Sequence, residues 1–170
     1  MNIVWFNGPS ANFLIRTLPQ QQIEIGCNFI YLERRVQHVV CYDHQMLDRI
    51  EFHPSYRVWC RNGTKHPQAT EVNYTMRQQP HNSGVMALRL AINLKLDHVF
   101  VLGCDWGITN KSIFDYDDRN SELKYTNSQK KLVKQMQDEI DMTFVNANSI
   151  DIACHRISPD TFLNDANRLR

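Results

Sequence analysis

The chain has 170 residues, enough for one ordinary domain and too few for two comfortable ones. Hydrophobic residues make up 42% and charged residues 22%, the balance of a soluble globular protein. Lys plus Arg is 19 against 18 for Asp plus Glu, a net charge of +1. That near-neutrality argues against a nucleic-acid partner held by bulk charge and against a polybasic membrane-surface binder. No apolar run approaches the ~18 residues that cross a bilayer. Met1 to Phe6 is apolar, but Asn7-Gly8-Pro9-Ser10 ends the run and no basic start precedes it, so a signal peptide is not expected. The expectation is a cytoplasmic protein, with residues 1–170 forming one domain.

The five cysteines, Cys27, Cys41, Cys60, Cys104 and Cys154, are odd in number and form no CxxC pair. A structural zinc knuckle is not expected. Cys27, Cys41, Cys60 and Cys104 each sit in or beside an apolar run and read as small buried hydrophobes. Cys104 has the position of a nucleophile, but its neighbour Asp105 would raise a thiol pKa rather than lower it.

In chain order, Asn2–Phe6 reads as a buried strand and Ala11–Leu18 as a weak helix closed by Pro19. Ile23–Asn28 alternates and reads as a second strand. Val36–Tyr42 reads as a third, followed by a helix over His44–Glu51 capped by Asp43. Tyr56–Cys60 is a fourth strand. Residues 61–80 are polar, carry two prolines and read mostly as loop. Asn82 or Ser83 caps a helix through Leu94 that is apolar on most sides and so buried on more than one. His98–Gly103 is a continuous apolar strand of the kind found inside parallel sheets. Residues 106–126 read as irregular. Asn127 or Ser128 caps a second helix, Met142–Asn146 is a last strand, and the tail from Ile150 is weakly patterned.

This alternation predicts an α/β fold, a Rossmann-like domain with a mostly parallel sheet flanked by helices. Such sheets bind ligands at the carboxyl ends of their strands, near a topological switch point. The residues placed there include Asn7-Gly8-Pro9-Ser10, Asn28, Tyr42-Asp43-His44, Cys104-Asp105-Trp106 and Asn146-Ala147-Asn148-Ser149. Their hydrogen-bonding groups suit nucleotides and sugars, although each taken singly is also an ordinary turn former or cap.

Two motifs stand out. Asn7-Gly8-Pro9-Ser10 is a tight turn where main-chain amides can approach an anion, though it is neither a Walker loop nor GxGxxG. Asn82-Ser83-Gly84-Val85 opens the buried helix, whose free amides and dipole suit a phosphate. Gly103-Cys104-Asp105-Trp106 ends the next strand, where the Asp105 carboxylate can hold hydroxyls, a metal or a base edge.

An NGPS loop, a CNxxY strand end (Cys27-Asn28-Phe29-Ile30-Tyr31), an NSGV helix start and an LGCD strand end occur in that order. Together they resemble the bacterial sialyltransferases of glycosyltransferase family 42. They are also similar to the phage and bacterial proteins that share this Rossmann-like core. More distantly the block resembles the archaeal 6-hydroxymethylpterin diphosphokinase group. The resemblance covers roughly residues 1–47 and 80–146 and speaks to the fold better than to the reaction.

The resemblance implies that Asn7, Gly8, Pro9 and Ser10 lie against the CMP part of a donor. It implies that Asn28, Ser83 and Gly84 help hold cytidine, phosphate and sugar; the strand-end position of Asp105 assigns it to the same expected site. It implies metal-independent transfer to a hydroxyl acceptor, with a CMP-sugar or other nucleotide donor as substrate and no cofactor. In that family a loop histidine before the final core helix is the general base, and lid tyrosines support the leaving phosphate. Here residues 121–128 contain no histidine; Tyr125 sits near that place, and only Tyr116 and Tyr125 could serve the lid. An unperturbed phenol is a poor base near pH 7. His81, just before the Asn-Ser-Gly helix start, is the other candidate base, although it reads more readily as a solvent-facing loop histidine.

The remaining candidates read blandly. His44 reads as a loop histidine, and Cys154 and His155, adjacent on a strand, would point opposite ways. Asp115-Tyr116-Asp117-Asp118 resembles a metal-holding DxD but reads as a solvated loop. Two alternatives stay open: a catalytically degenerate binding or structural module of the same fold, encoded by a phage, and a diphosphotransferase. The second would need magnesium and clustered carboxylates.

Overall fold

The computed structural model describes residues 1–75, 78–105, 123–146 and 152–168, with the side chains of 123–126 outside the description. Among the described residues, eight strands form one sheet in the order β5-β4-β3-β2-β1-β6-β7-β8. They are β1 (Asn2–Trp5), β2 (Ile23–Cys27), β3 (His38–Cys41), β4 (Arg57–Cys60), β5 (Thr70–Glu71), β6 (His98–Leu102), β7 (Asp141–Val145) and β8 (His155–Ile157). All seven pairings are parallel. The helices are α1 (Ala11–Thr17), α2 (Ile30–Glu33), α3 (His44–Leu47), α4 (Ser83–Asn93), α5 (Leu123–Met136) and α6 (Pro159–Arg168). This is the Rossmann-like α/β arrangement expected from the alternation of elements.

Side-chain alternation along each strand sorts the core into two layers. Val4, Ile25, Val40, Val99, Val101 and Phe144 pack with α4 and α5 on one face. Ile3, Trp5, Val39, Cys41, Val58 and Leu102 pack with α1, α2, α3 and α6 on the other. Both faces are therefore covered, which is why the central strands read as near-continuous apolar runs. Every residue from Ser83 to Ala91 is buried, including Arg89, which pairs with Glu139 at 2.9 Å. Its burial on more than one side is thus what the structure shows.

Five features differ from the sequence reading. Residues 61–80 contain β5, two exposed residues that pair with Trp59 and Cys60; a strand that short has no periodicity to detect. The strand-end motif turns at Asn28, at φ 49°, and continues as the single turn α2. Helix α5 starts at Leu123, four residues before the expected cap at Asn127. The tail forms β8 and α6, where Ser158 Oγ accepts the Thr161 N–H at 3.1 Å and Pro159 opens the helix. The α3 helix is also shorter than expected, and Asp43 holds its N-cap position without a side-chain cap bond.

A buried ion pair joins the first four elements. Glu24 has no solvent exposure. Its carboxylate accepts from Trp5 Nε1 at 2.8 Å, from Arg34 Nε and from Arg34 Nη2 at 2.6 Å. It also accepts from the Gln21 amide at 2.7 Å and from Gln20 Nε2 at 3.0 Å. Arg34 in turn donates to the carbonyls of Ile15, Leu18 and Pro19, closing the end of α1, and its guanidinium lies 4.9 Å from the Trp5 ring centre.

The thiols are free, and Cys27, Cys41, Cys60 and Cys104 are buried. Burial pushes the Cys41 thiol up to about 12 and Cys27 higher still. Only Cys154 has partial exposure.

Two predictions follow from this packing. Arg34→Met strands the Glu24 carboxylate and should lower urea-unfolding stability by about 3–5 kcal/mol; a loss well below that range would show that the pair does not hold these elements. The native protein should titrate one thiol, Cys154, with an aromatic disulfide reagent, and all five after unfolding. Fast native reaction of two or more thiols would contradict the buried placement.

Candidate functional site

Strand β1 has β2 on one side and β6 on the other. The chain walks outward from β1 to β5, then returns through α4 to β6. This makes the carboxyl end of β1 the topological switch point. The loops after β1, β2, β3 and β6 all end there. Helices α4 and α5 lead into strands of a parallel sheet, so their N-termini also start at the carboxyl edge.

The loop after β1 is fixed to the loop after β6. Phe6 N–H donates to Leu102 O at 2.7 Å and Gly8 N–H to Gly103 O at 2.8 Å. A side chain at Gly8 would place Cβ 2.3 Å from the Gly103 carbonyl oxygen and 2.5 Å from Asp105 Oδ2, so only glycine permits this approach. Ser10 N–H donates to Asp105 Oδ2 at 2.9 Å. Asn146, at the end of β7, donates to Asp105 Oδ1 at 2.9 Å and to Cys104 O at 3.1 Å. Asp105 is 5% exposed, and both of its oxygens hold neighbouring strand-end groups. Asn7 and Pro9 are half-buried in the same loop, and Pro9 O accepts the Asn12 N–H as α1 begins. The Ser10 hydroxyl oxygen is buried and makes no hydrogen bond among the described residues.

A second brace joins β2, β3 and α4. Ser83 Oγ donates to Asn28 Oδ1 at 2.8 Å and accepts the Tyr42 N–H at 2.9 Å. Asn28 N–H donates to Val40 O at 2.9 Å. The positive φ at Asn28 suits asparagine, which tolerates the left-handed region better than most residues. Asn82 Oδ1 caps α4 by accepting the Val85 N–H at 2.8 Å. That cap leaves the Ser83 and Gly84 amides as the open donors of the first turn. Gly84 lets α4 close onto the switch point, since a Cβ there would lie 2.3 Å from the Phe6 ring.

The structure thus brings Gly8, Pro9 and Ser10 together with Asp105, and Asn28 together with Ser83, around the end of β1. His81 is exposed on the segment just ahead of the Asn82 cap. Tyr125 falls in the first turn of α5, and its side chain is outside the description. The two candidate bases therefore precede or begin helices on the same face of the sheet. Trp106, Tyr116, the 115–118 acidic run and residues 147–149 lie outside the described residues. Among the described residues, no group of three His, Cys, Asp or Glu is placed to hold a metal ion, and no helix is long and apolar enough to cross a membrane.

Sequence reasoning passed over a cation at this edge. Arg61 directly follows β4 and had read as part of a turn. Its guanidinium lies 5.4 Å from the Tyr42 ring centre, and a hydrogen bond with that side chain pushes its pKa further up. Tyr74 joins them by accepting the Asn62 N–H at 3.2 Å. The available signal was positional: a basic residue in the first position after a parallel strand.

No protein-family model matches the chain, and no curated protein matches its sequence. Two solved structures share its fold. The monofunctional alpha-2,3-sialyltransferase Cst-I from Campylobacter jejuni superimposes with a TM-score of 0.56 at 17% identity, over 89% of this chain and 78% of that one. A variant of the sialyltransferase Cst-II in complex with CMP gives a TM-score of 0.53 at 16% identity, over 84% of this chain and 79% of that one. The fold of this chain is therefore sialyltransferase-like.

Proposed function

We propose that the carboxyl edge of the sheet binds a nucleotide or nucleotide-sugar and that the chain is a glycosyltransferase-like transferase, metal-independent, acting on a hydroxyl acceptor. The observation that carries this reading is the Ser10 hydroxyl, buried at the switch point and unbonded among the described residues. A buried polar group without a partner costs about 1–3 kcal/mol, which a ligand oxygen would recover. The Ser83 and Gly84 amides at the start of α4 add two further donors and a positive dipole end for a phosphate. Asn7, Gly8, Pro9 and Ser10 would line one side of the donor, and Asn28, Ser83 and Gly84 the other. The resemblance to a fold seen with CMP supports cytidine as the base.

In this reading Asp105 is a positioning residue. Its oxygens hold Ser10 and Asn146, so it shapes the loop that meets the donor. His81 or Tyr125 would take the acceptor proton. Transfer at an anomeric carbon needs such a base and a supported leaving phosphate.

One observation favours a second reading, a binding module that has lost catalysis. The hydroxyl hydrogen of Ser83 is already given to Asn28 and its oxygen already accepts from Tyr42. That leaves the brace complete without any ligand.

Thermal unfolding with CMP, CDP, UDP, GDP and ATP, each with and without magnesium, tests the proposal. A cytidine nucleotide at ~100 times its dissociation constant should add ~2.7 kcal/mol without magnesium, and Ser83→Ala should reduce that gain. No shift with any nucleotide would overturn nucleotide binding. A shift with no sugar transfer or donor hydrolysis would select the binding module. Separately, Asp105→Asn sets an amide donor against Ser10 N–H or Asn146 Nδ2. It should lower urea-unfolding stability by about 1–3 kcal/mol and weaken whatever nucleotide binds; an unchanged stability would show that the brace is dispensable.

A further inference from the structure

The opposite, amino edge of the sheet holds an open cavity of about 730 Å³ at the starts of β3, β4 and β5. That size lies within the range of small-molecule sites. Its lining includes Gln37, His38, His53, Ser55 and Arg57, and it contains no carboxylate.

Internal bonds leave this wall presenting donors. Trp59 Nε1 donates to His38 Nδ1 at 3.1 Å, so the ring proton of neutral His38 sits on Nε2. Burial and the nearby Arg57 charge lower the His38 pKa and keep that neutral form. Gln37 Oε1 accepts the Glu24 N–H at 2.7 Å, which leaves the Gln37 amide nitrogen as its outward group. His53 Nδ1 accepts the Ser55 N–H at 3.1 Å and lies 2.8 Å from Ser55 Oγ, which leaves Nε2 as the outward donor of that ring. Arg57 stacks 5.6 Å from the Trp59 ring centre and makes no ion pair among the described residues. Three side-chain donors and one guanidinium without an ion pair among the described residues thus share a wall that contains no carboxylate. Phe52 and Tyr56 supply aromatic surface beside them.

We propose that this cavity is a second ligand site, selective for a small oxyanion, a phosphate or carboxylate, carried on a body of monosaccharide class. Arg57 supplies the charge, and its planar fork suits either anion. Gln37, His38 and His53 supply directional hydrogen bonds, and Ser55 can meet a sugar hydroxyl. The site is separate from the carboxyl edge and does not rest on the nucleotide reading.

Isothermal titration calorimetry of the full chain with glucose 6-phosphate, inorganic phosphate, gluconate and glucose tests it. Saturable binding of glucose 6-phosphate or gluconate, and none of glucose, is expected; the stronger of the two identifies phosphate or carboxylate as the source. Arg57 is exposed, so Arg57→Gln should fold normally, and it should weaken binding about tenfold or more. Ser83→Ala should leave this binding unchanged even if it abolishes a nucleotide-induced shift. The absence of saturable binding by any oxyanion overturns the proposal. So does an equal response to glucose, or binding that Arg57→Gln does not weaken.

Discussion

A carboxylate without solvent contact needs a donor for each of its lone pairs, and the opening of this fold is arranged around meeting that need for Glu24. The donors come from β1, from the approach to β2 and from the end of α2. Arg34 carries the demand further, because its remaining N–H groups close the last carbonyls of α1. Strand, helix, strand and helix are thereby fixed relative to one another by one polar cluster inside an apolar layer. A buried ion pair adds little net stability over a well-packed apolar substitute, but losing one member is costly. Its effect here is to specify geometry: with α1 fixed at its far end, the loop that leads into it is fixed at the switch point.

The same accounting separates scaffold from site. Around Glu24 the hydrogen bonds serve both oxygens. At the carboxyl edge Asp105 also has both oxygens occupied, and it brings the loops after β1, β6 and β7 together. Between these satisfied groups sits the Ser10 hydroxyl, buried and without a partner among the described residues. The first amides of α4 are open beside an otherwise complete cap. Unsatisfied donors gathered where strand order reverses are what an oxygen-rich ligand would complete.

The order of elements was legible because parallel strands covered on both faces are apolar runs, and His98–Leu102 and the helix after Asn82 are plain examples. The glycines and asparagines of the two braces were legible as motifs, since Gly8 and Gly84 have no room for a side chain and Asn28 turns at positive φ. Their partners were not. Ser83 meets Asn28 across 55 residues and Ser10 meets Asp105 across 95, distances at which spacing carries no information. Strand β5 is two exposed residues and left no pattern. Helix α6 did leave one, a serine cap followed by proline in Ser158-Pro159, set in a tail that is otherwise weakly patterned. The Glu24–Arg34 pair was invisible for a different reason: isolated charges in a sequence read as surface.

The two edges of the sheet make different chemical offers, and parallel topology is the cause. At the carboxyl edge, helices begin, so open amides and dipole ends collect there. That edge suits a phosphate held by main chain, and it needs few charged side chains. At the amino edge, helices end and no such amides are available. An anion there must be held by side chains, and the wall containing Arg57 and the two oriented histidines has that character. The candidate bases obey the same logic. His81 precedes α4 and Tyr125 begins α5, so both chain positions lie at the carboxyl edge, on the face that α4 and α5 cover.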